Sequence, residues 1–204
     1  MFGNKLAITA SLVLLGIHGA LGTPVISRRF TPPDIDLGNT TITPGLGLPS
    51  LESLGVTVAE LVEEAFREIH DETAAAAAAA PTLSRRAAVC RHAFSNMVYR
   101  ASALACAGYL DRLGTTPCWV PDSWALPHGQ HSRFCTANVG GFHDPVLISG
   151  YGRYQSTSSH CYHVAHAVRV VESGCAWSDF FQYAGHENAW GNGNLEVLTE
   201  IDVW

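Results

Sequence analysis

Six cysteines, Cys90, Cys106, Cys118, Cys135, Cys161 and Cys175, carry the clearest chemistry in this 204-residue chain, and none precedes Cys90. An even number gathered in a short segment is the pattern of a disulfide framework, provided the chain folds in an oxidising compartment. Spacing by itself leaves the connectivity open. No Cys-x-x-Cys pair occurs, so a structural zinc site finds no support and no metal is expected. His160, His163 and His166 recur every three residues, with His128 and His131 upstream. At that spacing the three drift around a helix and share no tight face, so they read as solvated or hydrogen-bonded side chains. Glu187, beside His186 and Trp190, is the best acid–base candidate for a secreted ribonuclease or glycan hydrolase. Nothing at a diagnostic spacing joins it, so no catalytic residue and no cofactor are assigned. Trp119, Trp124, Trp177 and Trp190 have the flat apolar faces that stack on sugar rings in a carbohydrate-binding module, although packing is the ordinary fate of tryptophan.

Other residues direct processing. Lys5, the apolar run 6–17 and the small residues Gly19, Ala20 and Gly22 follow the order of a signal peptide, with cleavage expected after Gly22. No later stretch approaches the length a membrane-spanning helix needs, so no stable membrane insertion is expected. Ser84-Arg85-Arg86-Ala87 places a dibasic pair in a polar spacer just ahead of the first cysteine, and it resembles the cut site of Golgi dibasic proteases. Arg28-Arg29 is a second candidate. The expected organisation is a signal peptide at 1–22, a pro-segment at 23–86 removed at Arg85-Arg86, and a disulfide domain at 87–204 that works outside the cell. Asn39-Thr40-Thr41, the sole glycosylation sequon, falls in the part expected to be discarded.

Charge excludes some partners. The chain carries −6 overall and one lysine, and from residue 87 onward six arginines face nine carboxylates, leaving −3. That balance offers no basic footprint for nucleic acid or an anionic membrane.

The elements that must position these residues can be read from punctuation and period. Thr31-Pro32-Pro33 and Thr43-Pro44-Gly45-Leu46-Gly47-Leu48-Pro49 read as linker. Thr57 with Glu60 forms a capping box that opens a helix striped by Val58, Leu61, Val62, Ala65, Phe66 and Ile69, dissolving into the alanines at 74–80. A lone amphipathic helix needs a partner for its stripe, which predicts that it covers the domain before processing. Within the domain, 96–100 reads as a strand, 101–113 is rich enough in alanine and leucine to continue as helix, and 145–155 reads as a second strand in which Gly150 and Gly152 permit a bulge or close packing. Ser158 or Ser159 is expected to cap a helix whose stripe is Cys161, Val164, Val168, Val171 and Cys175. After the turn Gly191-Asn192-Gly193-Asn194, the alternation at 195–203 predicts a half-buried antiparallel strand.

The order of these features resembles a known family. It runs from Cys90 through a strand beginning at Asn96 and reaching Cys106, then Cys118-Trp119, a basic residue just ahead of Cys135, and Tyr154-Gln155-Ser156-Thr157. A helix ending Gly174-Cys175, then Ala184-Gly185 and Gly193-Asn194-Leu195-Glu196-Val197 complete it. The segment is similar to the killer-protein-four (Kp-four) family of small secreted fungal toxins. The resemblance implies an α+β fold, an α/β sandwich in which helices pack on one face of an antiparallel sheet. It implies the bridges Cys90–Cys175, Cys106–Cys161 and Cys118–Cys135, two further bridges of the well-known toxin being wholly missing here. It also implies a protein that halts growth of susceptible cells by interfering with calcium entry, its partner a target-cell surface protein such as a calcium channel; a monomer is expected. Arg133 matches the implicated basic residue, expected on a loop tied by Cys118 and Cys135. Net acidity and the absence of lysine after residue 86 depart from that pattern.

Overall fold

A computed structural model describes residues 35–78, 88–121, 131–141, 144–152 and 156–202, without the side chains of 73–78. The expected signal peptide, both dibasic pairs, Trp124 and His128 lie outside the described residues. In chain order the elements are β1 (Thr41–Pro44), α1 (Val58–Ala78), β2 (Val89–Cys90), β3 (Met97–Tyr99), α2 (Arg100–Arg112), β4 (Pro117–Val120), β5 (Ser132–Asn138), β6 (Val146–Gly152), β7 (Thr157–His160), α3 (Cys161–Cys175), β8 (Phe181–Tyr183), β9 (Gly185–Asn188) and β10 (Leu195–Ile201).

α1 begins where its capping box places it: the Thr57 backbone N–H donates to the Glu60 carboxylate at 2.8 Å, and the Glu60 N–H donates to the Thr57 hydroxyl at 3.2 Å. The Thr57 N–H and the Thr57 hydroxyl, both donating to it at 2.8 Å, hold the Glu60 carboxyl below the usual carboxylate range. Leu61, Val62, Ala65, Phe66 and Ile69 are buried. The helix runs on to Ala78 because alanine has the highest helix propensity of any residue.

The face that α1 covers belongs to α2, whose residues are buried without a break from Arg100 to Leu110. A helix buried all round must be sandwiched, and α2 lies between the sheet, which it meets at β5 and β6, and α1 outside. Gly108 permits the close approach, since a Cβ there would stand 3.2 Å from the Leu61 side chain. α3 packs beside α2 and rests on β9 and β10.

The six-stranded sheet is antiparallel throughout, in the order β1-β5-β6-β10-β9-β2, with two-stranded ribbons β3–β8 and β4–β7 beside it. The architecture is therefore α+β, an antiparallel sheet with helices packed on one face and three disulfides stapling the layers. β10 pairs with β6 from Leu195 opposite Gly152 to Ile201 opposite Val146. Leu195, Val197 and Thr199 point into the core as the alternation requires, and Leu198 on the other face is buried too. β1, read from sequence as linker, is instead an edge strand, with Thr41 opposite Asn138 and Pro44 opposite Cys135. Proline is tolerated at such an edge, where its missing N–H removes no ladder bond from the interior.

Three expectations are corrected. The strand that the resemblance carries from Asn96 to Cys106 ends at Tyr99, and Cys106 lies on α2, in the stretch that its alanines and leucines mark as helix. Ser158 and Ser159 do not cap α3, because pairing with β4 draws both into β7 and leaves His160 at the N-cap. The N–H groups of Cys161 and Tyr162 donate instead to the Thr116 and Gly114 carbonyls, at 2.9 and 3.2 Å.

The third correction concerns the bridges. Cys90 is joined to Cys175, as the resemblance implies, but Cys106–Cys161 and Cys118–Cys135 are not formed; the pairs are Cys106–Cys135 and Cys118–Cys161. The β4–β7 ladder sets Cys118 opposite Ser159, two residues from Cys161, and brings their Cα atoms to 5.0 Å. Packing of α2 on β5 brings the Cα atoms of Cys106 and Cys135 to 5.7 Å. Both separations suit a disulfide.

Candidate functional site

Arg133 lies on β5, a strand and not the expected loop. Beside it the ladder between β5 and β6 slips by one residue, Arg133 facing Ser149 and Cys135 facing Ile148, so Phe134 is the extra residue of a bulge. Gly150 opposite makes room for it: any Cβ there would collide with the Phe134 ring. The slip changes which side chains share a face, and Arg133 and Thr136 both reach Asp202 just beyond β10. The guanidinium is held by two bonds to Asp202, at 2.9 and 3.1 Å, while the Asp202 N–H donates to the Pro145 carbonyl at 2.7 Å. Arg133 remains about half exposed (46%) and Asp202 is almost covered (9%), so the cation is aimed and largely neutralised by its partner.

Beside Arg133 opens a cleft of about 560 Å³. One wall is the 43–48 segment, the end of β1 and the residues that follow it; the other carries Pro117, Trp119 and Pro121; Phe134, His131 and Arg133 complete it. The Gly45 N–H donates to the Phe134 carbonyl at 2.9 Å, and a Cβ on Gly45 would strike the Arg133 carbonyl, so this approach demands glycine. Trp119 is 58% exposed at the cleft, and Leu46 stands fully in solvent at the loop tip. Pro117 also lines a second cleft of about 340 Å³, with Ser158, Ser159, His160, His163 and Trp190. The β4–β7 ribbon therefore separates two recesses, each with a half-exposed tryptophan on its rim.

The histidines take ordinary roles around these clefts. His160 Nδ1 lies 2.9 Å from the Thr115 carbonyl, His163 Nδ1 3.3 Å from the Ser159 hydroxyl, and His131 Nδ1 3.3 Å from the Ser149 hydroxyl. His166 rests against the Trp190 ring at 4.0 Å, and burial lowers its pKa, with the Arg169 charge adding to the effect. Among the described residues, no three metal-ligating side chains converge. His186 and Glu187 are neighbours on β9 and so point to opposite faces. His186 meets Glu196 at 3.6 Å, whereas Glu187 turns back to the Asn188 N–H at 2.8 Å, and the two do not form an acid–base pair. Asn39 of the sequon is exposed, and its amide donates to Asp36 at 2.6 Å.

A family described as a domain of unknown function (DUF8794) matches residues 85–200, more than half of the chain. The chain belongs to that family. No curated protein and no solved structure matches it. The matched segment begins at Arg85, contains all six cysteines with α2 and α3, and leaves β1 and α1 outside.

Sequence reasoning missed the cleft because its two walls lie far apart in the chain, and it read the 43–48 segment as linker. The run of glycine and leucine between Pro44 and Pro49 is the signal that pointed there. It also missed a row of glutamates on α1, Glu64, Glu68 and Glu72, visible as acids every fourth residue.

Proposed function

We propose that this chain is a secreted, proteolytically matured, non-enzymatic effector that halts growth of susceptible cells, as its resemblance to the Kp-four toxins implies. It engages a target-cell surface protein through the face around Trp119 and Arg133, a calcium channel being the target the resemblance points to. The signal-like N-terminus and three bridges support an extracellular site of action. The observation that carries the reading is the rigid presentation of Arg133: a bulged strand, with the Cys106–Cys135 bridge two residues away, aims a half-exposed guanidinium beside an exposed indole. Asp202 occupies two of the guanidinium's donors, so a target carboxylate gains the cation by adding to this pair or exchanging with it.

Growth inhibition by the secreted chain, relieved by added calcium, tests the proposal. Arg133→Gln should lose most of the inhibition, with a stability cost of about 1 to 3 kcal/mol because the almost covered Asp202 carboxylate loses its cation. Asp202→Asn frees the guanidinium and should raise potency, while Arg91→Gln should change little. Full potency in Arg133→Gln would remove Arg133 from the mechanism. A second reading, a glycan-binding module, is favoured by the exposed Trp119 and Trp190 on the two rims. Glycan-array binding lost in Trp119→Ala and kept in Arg133→Gln would select it.

A further inference from the structure

Residues 35–78 touch the disulfide domain along two surfaces that would otherwise be left open. β1 occupies the free edge of β5, and Gly45 continues the pairing beyond it. An uncovered β5 would present a row of unpaired backbone groups. α1 covers the outer side of α2, and the Tyr109 hydroxyl donates to the Pro49 carbonyl at 2.7 Å, with burial pushing its pKa up to about 12.

Charge matches along the same helix. Glu64 pairs with Arg112 at 2.8 Å, Glu68 with Arg169 at 2.6 Å, and Glu72 with Arg100 at 3.1 Å. Three acids at i, i+4 and i+8 on α1 thus meet two arginines from the ends of α2 and one from α3. Half of the arginines in the 87–204 segment are engaged in this way. At the Glu72 end the seat is crowded, because Arg100 is also bound to the buried Glu172 of α3 and donates to the Ser178 carbonyl at 3.2 Å. One guanidinium there serves two carboxylates, one from each side of the contact.

We propose that residues 35–78 stay bound after the chain is cut at Arg85-Arg86, so that the matured molecule is a two-chain protein whose α2–α3 face seats an acidic amphipathic helix, and that this seat loosens as the pH rises. No cysteine precedes Cys90, so no disulfide joins the two chains. Noncovalent contact alone holds them. The pH dependence follows from the groups facing one another: Glu72 and Glu68 from α1, Arg100 and Asp111 from α2, and Glu172 and Arg169 from α3. Burial, helped by the neighbouring Glu72 and opposed by Arg100, pushes the Glu172 pKa up to about 8. Burial also raises Glu68, over the opposing effect of Arg169. Departure of α1 returns Glu172 to water and removes Glu72, so its pKa falls. Docking therefore takes up a proton. The contact is fully stable below the undocked pKa of Glu172 and weakens by up to about tenfold per pH unit until the pH passes about 8.

The test uses the full secreted chain, cut with a dibasic-specific endoprotease and checked by intact mass. It does not depend on any growth-inhibiting activity. At pH 6 the two chains should co-elute on size exclusion and give their summed mass in native mass spectrometry. At pH 9 their dissociation constant should be at least about tenfold higher. Glu72→Gln, at a position one-third exposed, should fold normally and lose the smaller part of that difference, the part due to burial of Glu172 remaining. Glu68→Lys should separate the chains even at pH 6. Separation of the wild-type chains at pH 6 as soon as they are cut, or equal retention at pH 6 and pH 9, would overturn the proposal.

Discussion

The two parts of this molecule are held by different forces. Residues 88–202 are stapled by three bridges that enclose loops of 85, 29 and 43 residues, each removing conformational freedom from the unfolded chain. No disulfide ties residues 35–78 to the rest, and beyond the continuity of the chain they depend on one edge strand, one apolar stripe and three ion pairs. Yet α2, in the middle of the stapled part, is buried on both sides only because α1 covers it. The stapled part thus relies, for the burial of α2, on a segment outside the family's bounds. The hold on the second part should depend on pH through Glu172, a residue of the first.

Breaking the longest bridge should have the largest effect. Cys90→Ser with Cys175→Ser opens an 85-residue loop, which the chain-entropy model values at about 4 to 5 kcal/mol. Lost secretion, or a lowered denaturant midpoint in what is secreted, checks this. Peptide mapping without reduction should recover Cys106 with Cys135 and Cys118 with Cys161.

Next comes the apolar stripe. Phe66→Ala empties a site that is 3% exposed and should weaken the hold on α1 by about 3 kcal/mol or more. If the two parts are as separable as their bonding implies, limited proteolysis will then remove α1 and leave the bridged part intact. Equal loss of both would show one cooperative unit.

Gly150→Ala strikes inside the stapled part, where the added methyl meets the Phe134 ring. The cost should be about 1 to 3 kcal/mol, as for an overpacked core, with the bulge and the Trp119–Arg133 cleft disturbed together. Tryptophan fluorescence and thermal unfolding report both effects. The smallest change is Thr57→Ala, which removes one capping hydroxyl and should cost about 1 kcal/mol. Hydrogen exchange should quicken at the start of α1 and not in α3.

What the sequence determined is what neighbouring residues decide among themselves. The Thr57–Glu60 box and the stripe from Leu61 to Ile69 need only the helical repeat, and the alternation from Leu195 to Thr199 needs only the pleat. The turn at Gly191, with φ +73°, needs only a residue without a Cβ. Tertiary structure decided whatever depends on which strand lies beside which. Cys118 meets Cys161 because β4 pairs with β7 some forty residues later, and the same pairing takes Ser158 and Ser159 away from the helix cap. Arg133 meets Asp202 through a one-residue slip that no local pattern encodes. The 43–48 segment became a wall and β1 an edge strand because β5 had an unpaired side to offer. Glu72, Arg100 and Glu172 come from three separate helices, and their shared charge exists only once packing has excluded water from between them.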